Sequence, residues 1–196
     1  MDVAIVKYNA GNVFSVECAL RRLGVEPTLT ADPRRLRQAD RVVFPGVGEA
    51  SSAMECLRAT GLDGVIRSLS QPVLGVCIGQ QLMCRHSEEG DCDCLGIFDA
   101  DVVRFQPAEG FKIPEMGWNT LRAIDLCPLL KGIDDGSYVY YVHSYYAPVC
   151  ADTVAVTAFS TEFSAAMHRD NFYATQFHPE KSGDVGARIL QNFLEL

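Results

Sequence analysis

The chain has 196 residues, a length that suits one compact domain, and 48% of them are hydrophobic, so it can bury a sizeable core. Its formal net charge of −8 argues against nucleic acid as the main partner, because phosphate binding requires clustered lysine and arginine. The longest apolar runs are strand-sized, which argues against a membrane span. The chain has eight cysteines, and because no secretory signal is expected, we predict reduced thiols and a cytoplasmic location.

The first half of the chain is predicted to alternate strands and helices. Apolar residues at helical spacing follow position 12, and Gly24 stands where that helix should stop. The predicted strands cover residues 2–8, 25–30, 41–44 and 73–76, and the predicted helices cover residues 13–23, a short stretch after Pro33, two stretches before residue 73, and residues 78–85. This alternation favours a parallel sheet with helices on both faces.

The second half is richer in strands. They are predicted over residues 102–105, 118–121, 138–142, 153–159 and 172–177, and a helix over residues 183–196 closes the chain. No internal repeat or linker separates the halves. The sequence therefore predicts one α/β domain over residues 1–196, with three layers and a mostly parallel central sheet to which antiparallel strands are added late.

A candidate nucleophile lies between the fourth predicted strand and the helix after it. Cys77 has a glycine two positions away on each side, Gly75 and Gly79, which is the pattern of a strained strand-to-helix turn. Small neighbours relieve crowding in such a turn, and the sulfur lies at a helix N-terminus, where the dipole favours thiolate. The alternative interpretation is a small core residue beside packing glycines.

A thiol nucleophile needs a base and a group that orients the base. The chain has four histidines, and His178 follows a predicted strand, with Glu180 two residues further on and a proline between them. That spacing can hold a carboxylate against the imidazole, although a turn histidine and an exposed loop acid are the alternatives. His143 is also at a strand end; without a nearby carboxylate in the sequence, it is assigned to binding or to structure.

Two segments resemble the signatures of the class I glutamine amidotransferases, which have a flavodoxin-like fold. They are Gly-Val-Cys-Ile-Gly-Gln-Gln (75–81) and Phe-His-Pro-Glu-Lys-Ser (177–182). Four more resemble, in family order, the glutaminase subunits of histidine biosynthesis that serve imidazole glycerol phosphate synthesis: Tyr-Asn-Ala-Gly-Asn (8–12), Phe-Pro-Gly-Val-Gly (44–48), Pro-Glu-Met-Gly-Trp-Asn (114–119) and Val-His-Ser-Tyr (142–145). The resemblance covers the whole chain.

The resemblance implies a glutaminase reaction with no cofactor and no metal. Cys77 attacks the side-chain amide of glutamine, His178 carries protons, Glu180 orients His178, and water hydrolyses the resulting glutamyl thioester. The oxyanion is expected to meet the backbone N–H groups of Val47 and Ile78, with Gly46 and Gly48 allowing a peptide of that loop to rotate. The glutamine contacts implied by family position are Gln81, Glu89, His143, Ser144 and Tyr145.

The resemblance also implies a partner, because this family passes ammonia to a TIM-barrel cyclase and the chain contains no barrel. A heterodimer is therefore expected, in which ammonia helps form imidazole glycerol phosphate and an aminoimidazole carboxamide ribotide. The positions that match family interface residues are Asn12, Trp118, Tyr140 and Lys181. Glu115 departs from the histidine that the family often has there, which puts an interface role of that position in doubt.

Two other interpretations of function remain open. A glutaminase could serve a different acceptor, in vitamin or nucleotide synthesis, and a decayed member of the fold could be a non-catalytic interaction module.

Cys92 and Cys94, each preceded by an aspartate, form a weak metal motif, for which a plain loop is the preferred interpretation.

Overall fold

The structure, a computed structural model, describes residues 1–8, 13–46 and 48–196. Asn12 and Val47, two of the predicted site residues, lie outside the described residues. Within the described ranges, every helix is too short or too polar to cross a bilayer.

The described part of the chain begins with alternating strands and helices and ends with strands and one long helix. The helices are α1 (Phe14–Arg22), α2 (Pro33–Gln38), α3 (Ala50–Thr60), α4 (Leu62–Arg67), α5 (Ile78–Met83) and α6 (Gly183–Leu194). The strands are β1 (Val3–Val6), β2 (Thr28–Thr30), β3 (Arg41–Phe44), β4 (Val73–Val76), β5 (His86–Ser87), β6 (Cys92–Asp93), β7 (Asp101–Arg104), β8 (Glu115–Ala123), β9 (Ser137–His143), β10 (Tyr145–Tyr146), β11 (Thr153–Ala158), β12 (Glu162–Arg169) and β13 (Phe172–Thr175).

One large mixed sheet organises the molecule. Its described strands run in the order β2-β1-β3-β4-β13-β12-β11-β8-β9. The pairs from β2 to β13 are parallel, and the pairs from β13 to β9 are antiparallel. The prediction of a parallel sheet with added antiparallel strands is confirmed, and the antiparallel part is as wide as the parallel part.

Helices cover both faces of the parallel half because its strand residues alternate between two cores. Ala4 and Val6 of β1 belong to a core that also contains apolar residues of α2, α3, α4 and α5. Val3 and Ile5, which point to the other face, pack in a core with α1 and α6. The three-layer arrangement follows from this alternation.

Two adjacent parallel strands bring the candidate site residues to one edge of the sheet. β13 pairs with β4 so that Thr175 lies opposite Val76. Cys77 follows β4 directly, and His178 follows β13 within three residues. Ligands of such sheets bind at the carboxyl ends of the strands, so this edge is where a site is expected.

Several elements differ from the sequence predictions. β12 was not predicted, because Ser164, Ala165 and Ala166 give it little β-propensity; it forms because β11 and β13 flank it in the sheet. The helix after Cys77 ends at Met83 rather than at residue 85. β7, predicted as residues 102–105, belongs to a separate small sheet of order β10-β7-β5-β6.

Candidate active site

Cys77 occupies a strained turn between β4 and α5. Its φ of 55° and ψ of −107° lie in a region that residues with a side chain rarely adopt. A Cβ on Gly79 would overlap the carbonyl oxygen of Phe44, and a Cβ on Gly75 would lie 3.0 Å from the Gly79 carbonyl carbon. The two glycines are therefore required by the close approach of neighbouring backbone, as the sequence pattern predicts.

Cys77 is 7% exposed as a residue, and its backbone and sulfur have polar neighbours. The Cys77 N–H donates to the Thr175 carbonyl oxygen at 2.7 Å, which fastens the turn to β13. The sulfur lies 4.0 Å from the Val142 carbonyl oxygen and 3.7 Å from Nε2 of Gln176. Gln176, which lies only two residues before His178, was not among the site residues predicted from the sequence.

His178 and Glu180 form a buried hydrogen-bonded pair. Nδ1 of His178 lies 2.8 Å from Oε1 of Glu180, and the two side chains are 2% and 3% exposed. Since the carboxylate accepts this bond, Nδ1 carries a proton. Nε2 of His178 makes no well-aligned hydrogen bond to any described residue, so it is the nitrogen available for proton transfer.

The backbone around His178 is held by β9. The His178 N–H donates to the carbonyl oxygen of Tyr140 at 2.9 Å. The Ser182 hydroxyl donates to the His178 carbonyl oxygen at 2.6 Å and accepts from the Tyr140 N–H at 2.9 Å. Ser182 is 1% exposed, so these bonds are shielded from water. Two hydrogen-bonded routes therefore tie the histidine to Tyr140.

The protonation of His178 reflects a balance of opposing effects. Burial disfavours the imidazolium and is the largest single effect, but the negative charge of the Cys77 sulfur, together with Glu180, outweighs it and raises the pKa of His178 to about 10. The ring is therefore a cation at neutral pH when the sulfur is a thiolate. A thiolate beside an imidazolium is the form of such a pair that is ready to attack a carbonyl carbon.

A cavity of about 300 Å³ opens onto the sulfur. Apart from Cys77, its described lining contains seven residues of the sequence prediction: Gly48, Ile78, Gln81, Glu89, His143, Ser144 and Tyr145. Pro114 and Val142 complete the lining. The structure therefore brings the predicted nucleophile and the predicted glutamine contacts to one small cavity, although they come from distant parts of the chain.

Gln81 and Glu89 present different groups to the cavity. Nε2 of Gln81 donates to the Tyr145 carbonyl oxygen at 2.7 Å and to Oε1 of Gln176 at 2.9 Å, so Oε1 of Gln81 is the atom left for a ligand. Oε2 of Glu89 accepts from the Ala50 N–H at 3.0 Å. Burial raises the pKa of the Glu89 carboxyl, against the Ala50 hydrogen bond that lowers it.

The loop after β3 approaches the start of α5. The phenol of Tyr8 donates to the Pro45 carbonyl oxygen at 2.7 Å, and a Cβ on Gly46 would overlap the side chain of Ile78. Gly48 has a φ of 134°, a conformation that favours glycine. Ile78 is the first residue of α5, so its N–H has no partner within the helix.

His143 faces a carboxylate that sequence reasoning missed. Its Nδ1 lies 2.7 Å from the Tyr145 carbonyl oxygen, and its Nε2 lies 3.3 Å from Oε2 of Glu115. Glu115 lies directly opposite His143 in the β8–β9 pair and is 4% exposed. Glu115 therefore points into the protein rather than to a partner surface, and Asn119 donates to its other oxygen at 2.8 Å.

Three of the four predicted interface residues form one cluster. The rings of Trp118 and Tyr140 lie 6.0 Å apart, and Nζ of Lys181 lies 5.9 Å from the centre of the Tyr140 ring. Met116 and Tyr138 extend this outer face of the β8–β9 ribbon and are 65% and 58% exposed. Alternation along β8 and β9 was the signal that could have identified the last two.

The Cys92–Cys94 segment shows no metal-binding geometry. The Cys94 thiol donates weakly to the Cys92 carbonyl oxygen at 3.7 Å, and neither cysteine is in a disulfide bond. Burial raises the pKa of Cys92, which disfavours the thiolate that a metal requires. Across residues 1–8, 13–46 and 48–196, no group of three or more His, Cys, Asp or Glu side chains is placed to hold a metal ion.

Comparison with known proteins identifies the class that this fold and site define. The family model for class-I glutamine amidotransferases matches residues 5–196. The chain belongs to the class-I glutamine amidotransferase family.

The most informative relatives are subunits of one synthase. The chain is 59% identical over 197 residues to the imidazole glycerol phosphate synthase subunit HisH of Bacteroides thetaiotaomicron, with 100% of each chain covered. It is 45% identical over 197 residues to the HisH subunit of Yersinia pseudotuberculosis, again with 100% of each covered.

Solved structures support the fold at lower sequence identity. A putative GMP synthase subunit from Thermoplasma acidophilum has a TM-score of 0.77 at 23% identity and covers 100% of this chain and 93% of its own. PurLQS from Thermotoga maritima has a TM-score of 0.73 at 17% identity, with coverage of 99% and 97%.

Proposed function

We propose that the chain hydrolyses glutamine to glutamate and ammonia, and that it supplies the ammonia to the cyclase subunit of imidazole glycerol phosphate synthase in histidine biosynthesis. The observation that carries this proposal is the buried His178–Glu180 hydrogen bond beside the strained Cys77, which itself lines a small cavity. The full-length HisH relatives support the choice of synthase. We assign this activity to a single domain of residues 1–196 and to the cytoplasm.

The first half-reaction forms a thioester. The Cys77 thiolate attacks the side-chain carbonyl carbon of glutamine, and the C=O electron pair moves to oxygen. When the tetrahedral species collapses, His178 donates its Nε2 proton to the amide nitrogen, and ammonia leaves. Glu180 keeps the proton on Nδ1 and stabilises the imidazolium before this step.

The second half-reaction regenerates the enzyme. Water attacks the glutamyl thioester while Nε2 of the now neutral His178 takes a water proton. Collapse of the second tetrahedral species breaks the carbon–sulfur bond and releases glutamate and the Cys77 thiolate. His178 is again a cation, so the resting pair of charges is restored.

The developing oxyanion needs donors that are in place before the reaction. The Ile78 N–H supports this role, because it has no partner within α5 and Ile78 lines the cavity. The second donor in this proposal is the N–H of Val47. Gly46 and Gly48 flank that residue, and the conformation of Gly48 is one that only glycine adopts without cost.

The amino-acid end of glutamine is assigned to the part of the cavity that Gln81 and Glu89 line. Oε1 of Gln81 and the carboxylate of Glu89 are acceptors for the substrate ammonium group, and both residues line the cavity with His143, Ser144 and Tyr145. The cavity lies at the small end of the range typical of small-molecule sites, which suits a single amino acid.

The partner in this proposal is a TIM-barrel cyclase that forms a heterodimer with the chain. The outer face of the β8–β9 ribbon supports a protein interface, since it exposes Trp118, Met116 and Tyr138 together. Tyr140 and Lys181 belong to the same face. Asn12 is assigned to the partner interface only by its match to the family. Direct transfer across this face would keep ammonia unprotonated and therefore nucleophilic.

A glutaminase assay tests the activity, the partner and their coupling together. The chain is assayed alone and with its cognate cyclase, in the presence and absence of the cyclase's substrate. We expect slow turnover alone and faster turnover with the liganded partner, because the oxyanion donors become aligned only then. Equal turnover under all conditions would refute the coupling, and no turnover of glutamine with the liganded partner would refute the function.

A further inference from the structure

Gln176 is a fully buried amide that lies between the end of β13 and His178, with 0% of its surface exposed. Its backbone N–H donates to the Ala165 carbonyl oxygen of β12 at 2.9 Å. The preceding residue, Thr175, accepts the backbone N–H of Cys77. Two strands therefore hold the Gln176 side chain next to the candidate nucleophile.

The orientation of the Gln176 amide follows from its neighbours. The Tyr145 carbonyl oxygen can only accept, so the Gln81 atom 2.7 Å away from it is the donor Nε2. The same Nε2 lies 2.9 Å from the Gln176 amide, which must present its oxygen there. The remaining atom of Gln176 is then its NH₂ group, and this group lies 3.7 Å from the Cys77 sulfur.

The sulfur has a physical need for such a donor. Cys77 is a buried residue, and a thiolate on a buried residue requires hydrogen bonds or opposite charge. His178 supplies the charge, but it must release its proton during the reaction. An amide donor does not titrate at neutral pH, so its N–H stays available to the sulfur after His178 has released its proton.

We propose that Gln176 binds the Cys77 thiolate through its Nε2–H, stabilises the charge on the sulfur and holds the sulfur at the cavity; this rests on the glutaminase function proposed above. Gln81 belongs to the same chain of hydrogen bonds, a relay that runs from Gln81 through Gln176 to the Cys77 sulfur. It fixes the Gln176 amide with one N–H and lines the cavity where the amino-acid end of glutamine is assigned. The relay thus connects the substrate-binding residues to the nucleophile.

The test compares variants of the chain in complex with its cognate cyclase. Gln176→Met removes the donor at similar volume, and Gln176→Glu places a carboxylate against the sulfur. Gln80→Met is the matched control: Gln80 is 0% exposed on the same helix as Gln81, and its amide donates to the Ser164 carbonyl oxygen at 2.9 Å. The readouts are kcat and KM for glutamine and the pH profile of Cys77 alkylation by iodoacetamide, followed by peptide mass spectrometry.

We expect Gln176→Met to lower kcat by about 10- to 100-fold, the effect of one hydrogen bond to a charged group. Its alkylation midpoint moves about one pH unit or more upward. Gln176→Glu shifts the midpoint further. Gln80→Met lowers the melting temperature but leaves the midpoint unchanged.

Two results would overturn the proposal. One is a wild-type midpoint and kcat in Gln176→Met, and the other is an equal midpoint shift in Gln80→Met, which would indicate general loosening of the core. Should Gln176→Glu fail to fold, the Met variant decides the question. If wild-type complex does not turn over glutamine, the proposed function fails, whereas the alkylation profile still reports on the Gln176–Cys77 contact.

Discussion

The chemistry of the site depends on a buried imidazole that keeps its proton. Burial alone would lower the pKa of His178, and only the neighbouring sulfur and the Glu180 carboxylate reverse that effect. Glu180 is itself buried, and its Oε2 makes no hydrogen bond to a described residue. Its charge is therefore weakly solvated and acts strongly on the ring, to which its other oxygen is bonded.

Replacing Glu180 by Gln should lower the pKa of His178 from about 10 towards or below its ordinary value. The raised pKa means that the wild-type ring holds its proton at lower pH and loses it as the pH rises through about 10; without the carboxylate, the loss occurs at lower pH. NMR titration of the ring nitrogens measures this directly. We expect kcat to fall by on the order of 100- to 10,000-fold, as for triads with a misoriented base.

An unchanged His178 titration in Glu180→Gln would contradict this account of the pair. The matched control is Glu88→Gln. Glu88 is an exposed acid that accepts from the Arg104 N–H at 2.7 Å and does not line the cavity, so its replacement should leave the titration and kcat as they are.

If Glu89 holds the ammonium group of glutamine, as proposed, the binding of substrate should depend on pH. Its carboxyl pKa is raised by burial, so the group becomes protonated at higher pH than an ordinary glutamate. A protonated Glu89 does not attract the ammonium group of glutamine, and KM should therefore rise as the pH falls through the raised pKa. Glu89→Gln should raise KM at neutral pH and remove this dependence. A KM that rises by the same factor in both proteins as the pH falls would contradict the assignment.

At the scale of elements, the turn between β4 and α5 requires glycine at position 79 because the backbone of β3 passes close to it. Gly79→Ala should lower the free energy of unfolding by about 1–3 kcal/mol, because the new methyl group overlaps the Phe44 carbonyl oxygen. Gly64→Ala is the matched control: nothing lies within 4 Å of its added Cβ in α4, so helix propensity should make it neutral or stabilising. Denaturant unfolding measures both; equal stabilities would contradict the close approach.

The elements that were predicted from the sequence share a strong local signal. Cys77 and His178 each follow an apolar strand, and Glu180 is tied to His178 by a rigid proline, so pattern and spacing suffice for them. β12 was missed because its Ser-Ala-Ala core has no local preference for a strand, and its neighbours in the sheet decide its conformation.

The missed site contacts are those between strands that are distant in the sequence. The Glu115–His143 pair depends on the register of β8 against β9, which no local pattern specifies. Gln176 was missed because the sequence predicts that it lies near the end of an apolar strand and gives no sign that its side chain contacts the site. Only the pairing of β13 with β4 shows that its side chain meets the Cys77 sulfur.

At the scale of the whole molecule, the outer face of the β8–β9 ribbon is joined to the site by backbone. Tyr140 packs against Trp118 on that face, and its N–H and carbonyl oxygen both contact the His178 backbone, one of them through Ser182. A partner that presses on this face therefore contacts the same strand that positions the imidazole. This connection supplies a physical route for the coupling of partner binding to glutamine turnover.

Trp118→Ala should weaken binding of the cyclase by about 2 kcal/mol, or roughly 30-fold in Kd, as for a central aromatic residue of an interface. Isothermal titration calorimetry measures the affinity. Leu126→Ala is the control, since Leu126 is 97% exposed outside the ribbon. Equal affinities for the Trp118 and Leu126 variants would show that the interface lies elsewhere.

The most direct test of the central claim is the Cys77→Ala variant in complex with the cyclase, assayed for synthase product with glutamine and with added ammonia. If Cys77 is the nucleophile that releases ammonia, product formation from glutamine disappears, and formation from ammonia stays near the wild-type rate. Product formation from glutamine at an undiminished rate in this variant would contradict the account.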